Sequence, residues 1–202
     1  MTSASVAGGR PRDPEVDRRI TRAAVELFGE AGWSGFNVEA VARLAGVGKA
    51  SVYLRWTTKV ELLTDALTER LAPIADVDTG TLRGDLIELA KQVINLYVGD
   101  GGRAAQRIGL EAAAIPGVAE HYEALHQSQI RAARTIVRRG ISRGEISPTA
   151  SVTLLLDTLC GGAMMHAMST PPQLRAQLAE DVDRYARQLV DFLLISIASS
   201  TE

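Results

Sequence analysis

Apolar residues recur along most of the chain with the spacing of an α-helix. Near the N-terminus they form one stripe, which consists of Ile20, Ala23, Ala24, Leu27, Phe28 and Ala31. Residues with this spacing share one side of a helix with 3.6 residues per turn. No segment shows the alternation of a β-strand, so we expect an all-α protein of about nine helices. The predicted helices cover about 14–31, 38–44, 48–54, 59–71, 81–98, 103–114, 117–143, 149–168 and 172–198.

Several predicted helices have recognisable end signals. Asp13, Asn37 and Thr58 precede the first, second and fourth helices, and their side-chain oxygens can accept hydrogen bonds from the free N–H groups of a first turn. Gly32 and Gly46 are predicted to end the first two helices, because glycine adopts the backbone conformations that stop a helix.

The segment 38–57 has the pattern of a helix-turn-helix. Ala42 supplies a small side chain where two steeply crossing helices meet, Gly46 allows a tight turn, and Val52 anchors the second helix on the first. These three constraints also fit an ordinary helical hairpin.

In a helix-turn-helix, the helix at 48–54 would enter the major groove of DNA. Its first residues are small, so its backbone can approach the base edges. Lys49 and Lys59 can pair with phosphates, Tyr53 can donate to one, and Arg55 fits either a phosphate or a guanine. The cations also fit a solvated surface, and Tyr53 fits a packed core. The candidate DNA-contacting residues are Asn37, Gly48, Lys49, Ala50, Ser51, Tyr53, Leu54, Arg55 and Lys59.

Residues 14–72 resemble the DNA-binding domain of the tetracycline-repressor (TetR) family. The resemblance lies in the run RRITRAAVELFGEAGWSGFNVEAVARLAGVGKASVYLRWTTKVELL. The positions with that family's spacing are Phe28, Gly32, Phe36, Asn37, Val38, Ala42, Gly46, Val47, Lys49, Ser51, Val52, Tyr53, Trp56, Lys59 and Leu62. Gly48, Ala50 and Val60 depart from the residues common at their positions, as does the Leu54-Arg55-Trp56 run.

The resemblance implies a division of the chain into four parts. It implies a helix-turn-helix DNA-binding domain at 13–58, a linker helix at 59–72, and a helical effector-binding and dimerisation domain at 73–202. A typical member is a homodimer that represses genes until a small ligand releases it from semi-palindromic operator DNA. Residues 1–12 are expected to form a disordered basic arm, which is either a solvated tail or places Arg10 and Arg12 in a minor groove.

The helix at 149–168 is apolar on nearly all sides, so it must be covered on both. One side can face its own core while the other, with the helix at 172–198, faces a second subunit in a four-helix bundle. The alternative is that both helices pack only within one monomer. The candidate interface residues are Gly161, Gly162, Met165, Met168, Tyr185, Leu189 and Phe192.

In this family layout a ligand pocket lies inside the C-terminal body, and the residues available to line it are mostly apolar. They are Leu96, Tyr97, Ile108, Glu111, Ile115, Tyr122, Leu125, Leu155, Asp157, Leu159 and Met164. Such a site suits a largely hydrophobic effector with one polar or cationic group. A regulator that is constitutive or activating, without a ligand, remains the alternative.

Charge supports a polyanionic partner at one end of the chain. Residues 1–59 hold nine Lys/Arg and six Asp/Glu, whereas residues 60–202 hold thirteen and eighteen. The five arginines between positions 131 and 143 form a basic run, for which a solvated face is the first expectation.

Other candidate chemistry is sparse. His121 and His126 lack the spacing of metal ligands on one helix face, His166 fits a core position, and Cys160 fits a buried apolar one. No metal or cofactor is expected, and no nucleophile–base pair supports the remaining alternative of a small helical enzyme. With one cysteine, no signal peptide and no membrane span, we expect a cytoplasmic protein without a membrane partner.

Overall fold

The structure is a computed structural model of the chain. It describes residues 13–71 and 74–198, apart from the side chains at 121, 125, 172, 197 and 198. This part of the chain contains nine α-helices, two single-turn 3₁₀-helices and no strand, which confirms the predicted all-α class. The α-helices are α1 (Pro14–Gly35), α2 (Val38–Ala45), α3 (Lys49–Tyr53), α4 (Lys59–Arg70), α5 (Leu82–Val98), α6 (Gly102–Glu111), α7 (Ala119–Ser142), α8 (Val152–Ser169) and α9 (Arg175–Ala198). The predicted arm at 1–12, with Arg10 and Arg12, lies outside the described residues.

The predicted helix ends have the expected local geometry. Asp13, Asn37 and Thr58 each accept a hydrogen bond from a backbone N–H two or three residues ahead, at 3.0, 2.8 and 3.1 Å. Gly32 interrupts α1 at φ 65°, and a single further turn carries the helix to Gly35. The stop at Gly32 is therefore real, but the helix ends a turn later.

The turn between α2 and α3 follows the predicted helix-turn-helix. Gly46 has φ 66° and ψ 38°, a left-handed conformation, and its N–H donates to the carbonyls of Ala42 and Arg43. Ala42 and Val52 are buried where α2 and α3 meet. The two helices are thus fixed at the crossing that presents α3 on the surface.

The described residues form two hydrophobic cores. The first core contains residues of helices α1, α2, α3, α4 and α6 and of the segment that follows α6 as far as Val118. The second core contains residues of α5, α7, α8 and α9. Helix α6 lies in the sequence range predicted for the C-terminal body, but its buried residues contribute to the first core. Ala104, Ala105 and Ile108 of α6 pack with the DNA-binding half of the molecule instead.

A buried carboxylate ties α5 to the end of α7. Asp85 is fully buried and accepts hydrogen bonds from the N–H and hydroxyl of Thr79 at 2.6 and 2.7 Å. Its Oδ2 lies 3.3 Å from Nη1 of Arg143 and 3.5 Å from Nη2 of Arg139. The expectation of a solvated basic run is therefore wrong at these two arginines, because an acidic cluster faces them.

None of the helices in the described ranges is long and apolar enough to cross a membrane. Helix α8 is the most apolar of the long helices, and Asp157 and His166 interrupt it. One of its sides packs on α5 and α9.

Candidate DNA interface and effector cavity

Helix α3 presents an exposed surface of small and polar residues. Gly48, Lys49 and Ala50 are exposed at its start, and Tyr53 and Leu54 are exposed at its end. Val52 points the other way, into the first core. The helix therefore offers the outward face that a major groove requires, with its small residues at the leading end.

Lys49 forms an ion pair with Glu39 of α2. Its Nζ also lies 5.5 Å from the centre of the Tyr53 ring. The hydrogen bond that Lys49 donates to Glu39 raises the pKa of Lys49 and lowers the pKa of Glu39. Lys49 is thus a fully charged group, already oriented on the exposed face, whose present partner a phosphate could replace.

Arg55 and Ser51 face inward more than the sequence suggested. Arg55 pairs with Asp17 of α1, its Nη1 donates to the carbonyl of Ser51 at 2.9 Å, and its side chain is only 12% exposed. Such a guanidinium fastens α3 to α1. Arg55 therefore has a structural role within the chain, and its contact with DNA stays a prediction.

Lys59 sits at the start of α4 against the end of α1. Its Nζ donates to the carbonyl of Phe36 at 3.3 Å and lies 3.8 Å from the centre of the Trp33 ring, which stacks on Phe36. A cation held over an aromatic face in this way has a defined position. The neighbouring Asn37 uses its side chain to cap α2 and to donate to the carbonyl of Gly35. Both polar atoms of this side chain therefore have partners within the chain, and its contact with DNA stays a prediction.

A cavity of about 600 Å³ lies at the seam between the two cores. Helices α4, α5 and α6 form one wall, and α7 and α8 form the other. The residues that line it are Thr64, Leu67, Thr68, Leu71, Ile74, Val93, Leu96, Tyr97, Ala105, Ile108, Val118, Tyr122, His126, Gln129, Ile130, Ala133, Arg134, Thr153, Leu156, Asp157, Cys160, Gly161 and Met164. Both the volume and the apolar lining are typical of small-molecule sites.

Six of the predicted lining residues reach this cavity: Leu96, Tyr97, Ile108, Tyr122, Asp157 and Met164. Leu155 and Leu159 do not, because they point into the second core from the opposite side of α8. Ile115 is buried in the first core, and the side chain of Leu125 lies outside the described residues. Because α8 is apolar on almost every side, its sequence did not reveal which stripe faces the cavity.

Glu111 was also expected in the cavity, and the structure places it elsewhere. Its carboxylate accepts from the backbone N–H of Trp33 at 2.9 Å and from Arg107 at 2.9 Å. Arg107 in turn donates to the carbonyls of Gly29 and Glu30 at 2.9 and 3.0 Å. The two side chains fasten α6 to the interrupted end of α1, which includes Trp33, the residue whose ring contacts Lys59.

The polar groups of the cavity are mostly neutral. Burial raises the pKa of Cys160 to about 11 and also raises the pKa values of Tyr97 and Tyr122. The hydroxyl oxygen of Thr64 is buried without a hydrogen-bond partner among the described residues. Sequence reasoning missed Thr64, which lines the cavity and lies about one and a half turns after Lys59 on α4.

Helices α8 and α9 share an exposed apolar face. The candidate interface residues Met165, Met168 and Phe192 lie on it, with Phe192 68% exposed. The ring of Tyr185 stacks on His166 at 3.6 Å beside them. The other predicted members lie elsewhere: Gly161 lines the cavity, Gly162 and Leu189 pack on each other within the chain, and the missed Leu154 and Ile195 join the exposed face.

Comparison with known proteins decides the family. The family model described as "Tetracyclin repressor-like, C-terminal domain" matches residues 76–193, and the model "Bacterial regulatory proteins, tetR family" matches residues 20–66. The chain belongs to the TetR family. This TetR-family chain is therefore a DNA-binding transcriptional regulator with an N-terminal helix-turn-helix, and not an enzyme.

Individual relatives agree with this assignment. The chain is 32% identical over 168 residues to the HTH-type transcriptional regulator AqdR of Rhodococcus erythropolis, which covers 83% of this chain and 78% of that protein. It is 26% identical to the regulator YdeS of Bacillus subtilis, over 96% of each chain. The fold resembles a crystal structure of the regulator FadR from Bacillus subtilis in complex with stearoyl-CoA, at TM-score 0.67 and 20% identity, over 88% of this chain and 97% of that one.

Proposed function

We propose that this TetR-family regulator is a homodimeric repressor, released from a semi-palindromic operator when a largely apolar ligand enters the cavity between its two cores. The dimer would form through the exposed apolar face of α8 and α9. Each subunit would present α3 to one of two successive major grooves, and twofold symmetry of the protein requires a palindromic site.

The position of the cavity is the observation that carries this proposal. Its walls include α4 and α6, whose buried residues belong to the core of the DNA-binding half, and α7 and α8, which belong to the other core. A ligand that wedges between the cores prefers the conformer in which they stand further apart. The ligand can lower operator affinity by no more than the difference between its binding free energies for the two conformers. A constitutive regulator has no need of such a cavity.

The DNA-binding part of the proposal rests on Lys49, Tyr53 and Lys59. An operator is first obtained by selecting, from a random library, the DNA duplex that the protein binds. Its affinity is then measured by fluorescence anisotropy. We expect Lys49→Ala, Tyr53→Phe and Lys59→Ala to weaken binding, and Lys49→Ala and Lys59→Ala also to reduce its salt dependence, because each removes a phosphate contact. Arg131→Ala is the matched control, since Arg131 is an exposed arginine on α7. Unchanged affinity in all three variants would refute the proposed docking.

The ligand part requires two linked readouts. A panel of apolar compounds is screened first for a raised melting temperature and then for loss of operator binding. We expect the two effects to appear together. Filling the cavity by Ala105→Phe should abolish both for any compound that wild-type protein binds, whereas Leu110→Phe, at an exposed position of α6, should leave both intact. If compounds stabilise the protein but none of them changes its operator affinity, ligand release is refuted and the protein is a constitutive regulator.

A further inference from the structure

A second, more polar cleft adjoins the cavity. It has a volume of about 880 Å³ and lies between α1, the end of α4, α5 and the start of α9. Leu71 and Leu96 line both the cleft and the apolar cavity. These two leucines therefore lie where the apolar cavity meets the polar cleft.

The cleft contains two arginines without partners. Arg70 and Arg175 are half-buried, and neither makes a hydrogen bond or ion pair within the described part of the chain; the Nε of Arg175 is buried without an acceptor. Every other half-buried lysine or arginine in the described ranges has a hydrogen-bond or ion-pair partner, as Arg55 and Lys59 do. Half-buried arginines without an acceptor carry a desolvation cost that an anion would remove.

The charges around the two arginines leave room for an anion. Arg22 faces Asp100 and Arg103 faces Glu30, each pair at 3.6 Å. The remaining carboxylate is that of Glu26, which is exposed. Four arginines and three carboxylates give the cleft a net charge of +1. Arg175 also opens α9, where the helix dipole favours an anion rather than a cation.

We propose that the effector of this regulator is an anionic amphiphile, with an apolar tail in the cavity and a phosphate-like or carboxylate head between Arg70 and Arg175. The inference rests on the proposed function, because it specifies the ligand of the same cavity. The head would link the end of α4 to the start of α9. The helix that begins at Lys59 would thereby be tied to a helix of the proposed dimer interface.

The test compares three probes by isothermal titration calorimetry on the full chain. They are decyl phosphate below its micelle concentration, 1-decanol and inorganic phosphate. We expect decyl phosphate to bind one-to-one and at least about tenfold more tightly than 1-decanol, since charge-assisted hydrogen bonds are the stronger kind. Inorganic phosphate should bind far more weakly than decyl phosphate, because it has no tail.

Three variants assign the headgroup contact. Arg70→Gln and Arg175→Gln should each remove most of the advantage of decyl phosphate over 1-decanol, with melting temperatures measured to show that the variants fold. Arg131→Gln makes the same change of charge at an exposed position of α7 and should keep the advantage. Loss of the advantage in all three variants would indicate a long-range charge effect and overturn the inference.

The remaining outcomes separate this inference from the proposed function. If decyl phosphate and 1-decanol bind equally in every variant, the headgroup site is refuted while an apolar effector stands. If inorganic phosphate binds as tightly as decyl phosphate, the cleft is an independent anion site and the amphiphile is refuted. If neither decyl compound binds, the headgroup inference falls, and the proposed apolar effector loses its support as well.

Discussion

Replacing Asp85 by alanine should destabilise the protein more than any other loss of a single charge described above. The carboxylate is fully buried, with two hydrogen bonds from Thr79 and two arginines within 3.5 Å. Removing one member of a buried ion pair costs about 3–5 kcal/mol. We expect about 3 kcal/mol, because Arg139 and Arg143 remain 22% and 27% exposed and keep other acidic partners.

That loss is large enough to measure directly. In a chain of this length about 1 kcal/mol shifts the melting temperature by roughly 2–4 °C, so Asp85→Ala should lower it by about 6–12 °C. Guanidinium titration gives the free energy of unfolding independently. Asp85→Asn keeps an acceptor for Thr79 but removes the charge, and it should fall between wild type and Asp85→Ala.

Asp76→Ala provides the matched control. Asp76 pairs with the same Arg139 at 2.8 Å, but its side chain is 42% exposed, and an exposed pair contributes less than about 1 kcal/mol. If Asp85→Ala destabilised the protein no more than Asp76→Ala, burial would not be the reason for the strength of this cluster.

Three further predictions concern the DNA-facing surface, the contact between α6 and α1, and the proposed dimer interface. Glu39→Gln should tighten operator binding by roughly two- to fivefold, because it frees Lys49 and removes a like charge from the DNA face; weaker binding would argue against contact by Lys49. The pKa of Glu111 is lowered, chiefly by the Trp33 N–H, so its contribution to stability is present above pH 4.5 and disappears as the pH falls through the folded value. Glu111→Gln should therefore lower the melting temperature at pH 7 but not at pH 3. Phe192→Glu should yield monomers in sedimentation velocity at micromolar concentration, while Leu110→Glu should not; monomeric wild-type protein would refute the dimer.

Local signals in the sequence predicted much of the fold. Capping by Asp13, Asn37 and Thr58 depends on hydrogen bonds within three residues, so neighbouring residues determine it. The turn at Gly46 depends on one backbone conformation that glycine adopts at little cost. Such constraints are visible without knowledge of the tertiary structure, which explains why the DNA-binding half was predicted in detail.

The candidate effector site was predicted only in part, because its residues meet across long distances in sequence. Glu111 bonds to Trp33 across 78 residues, and no periodicity distinguishes that pairing from a place in the cavity. Leu155 and Leu156 are adjacent and identical, and both are buried in the second core, yet only Leu156 also lines the cavity. The rotation of α8 about its axis decides which of the two leucines lines the cavity. Only packing against α5 and α9 sets that rotation.

The seam between the two cores has a consequence for how the response to ligands can change over evolutionary time. Thr153, Asp157 and Gln129 line the cavity but belong to neither core. Substitutions at such positions alter what the cavity accepts while leaving the buried apolar packing intact, so their effect on stability is small. Recognition of new compounds can therefore arise by single substitutions without loss of the fold, and proteins of this architecture can diversify in what they sense while their DNA-binding apparatus stays the same.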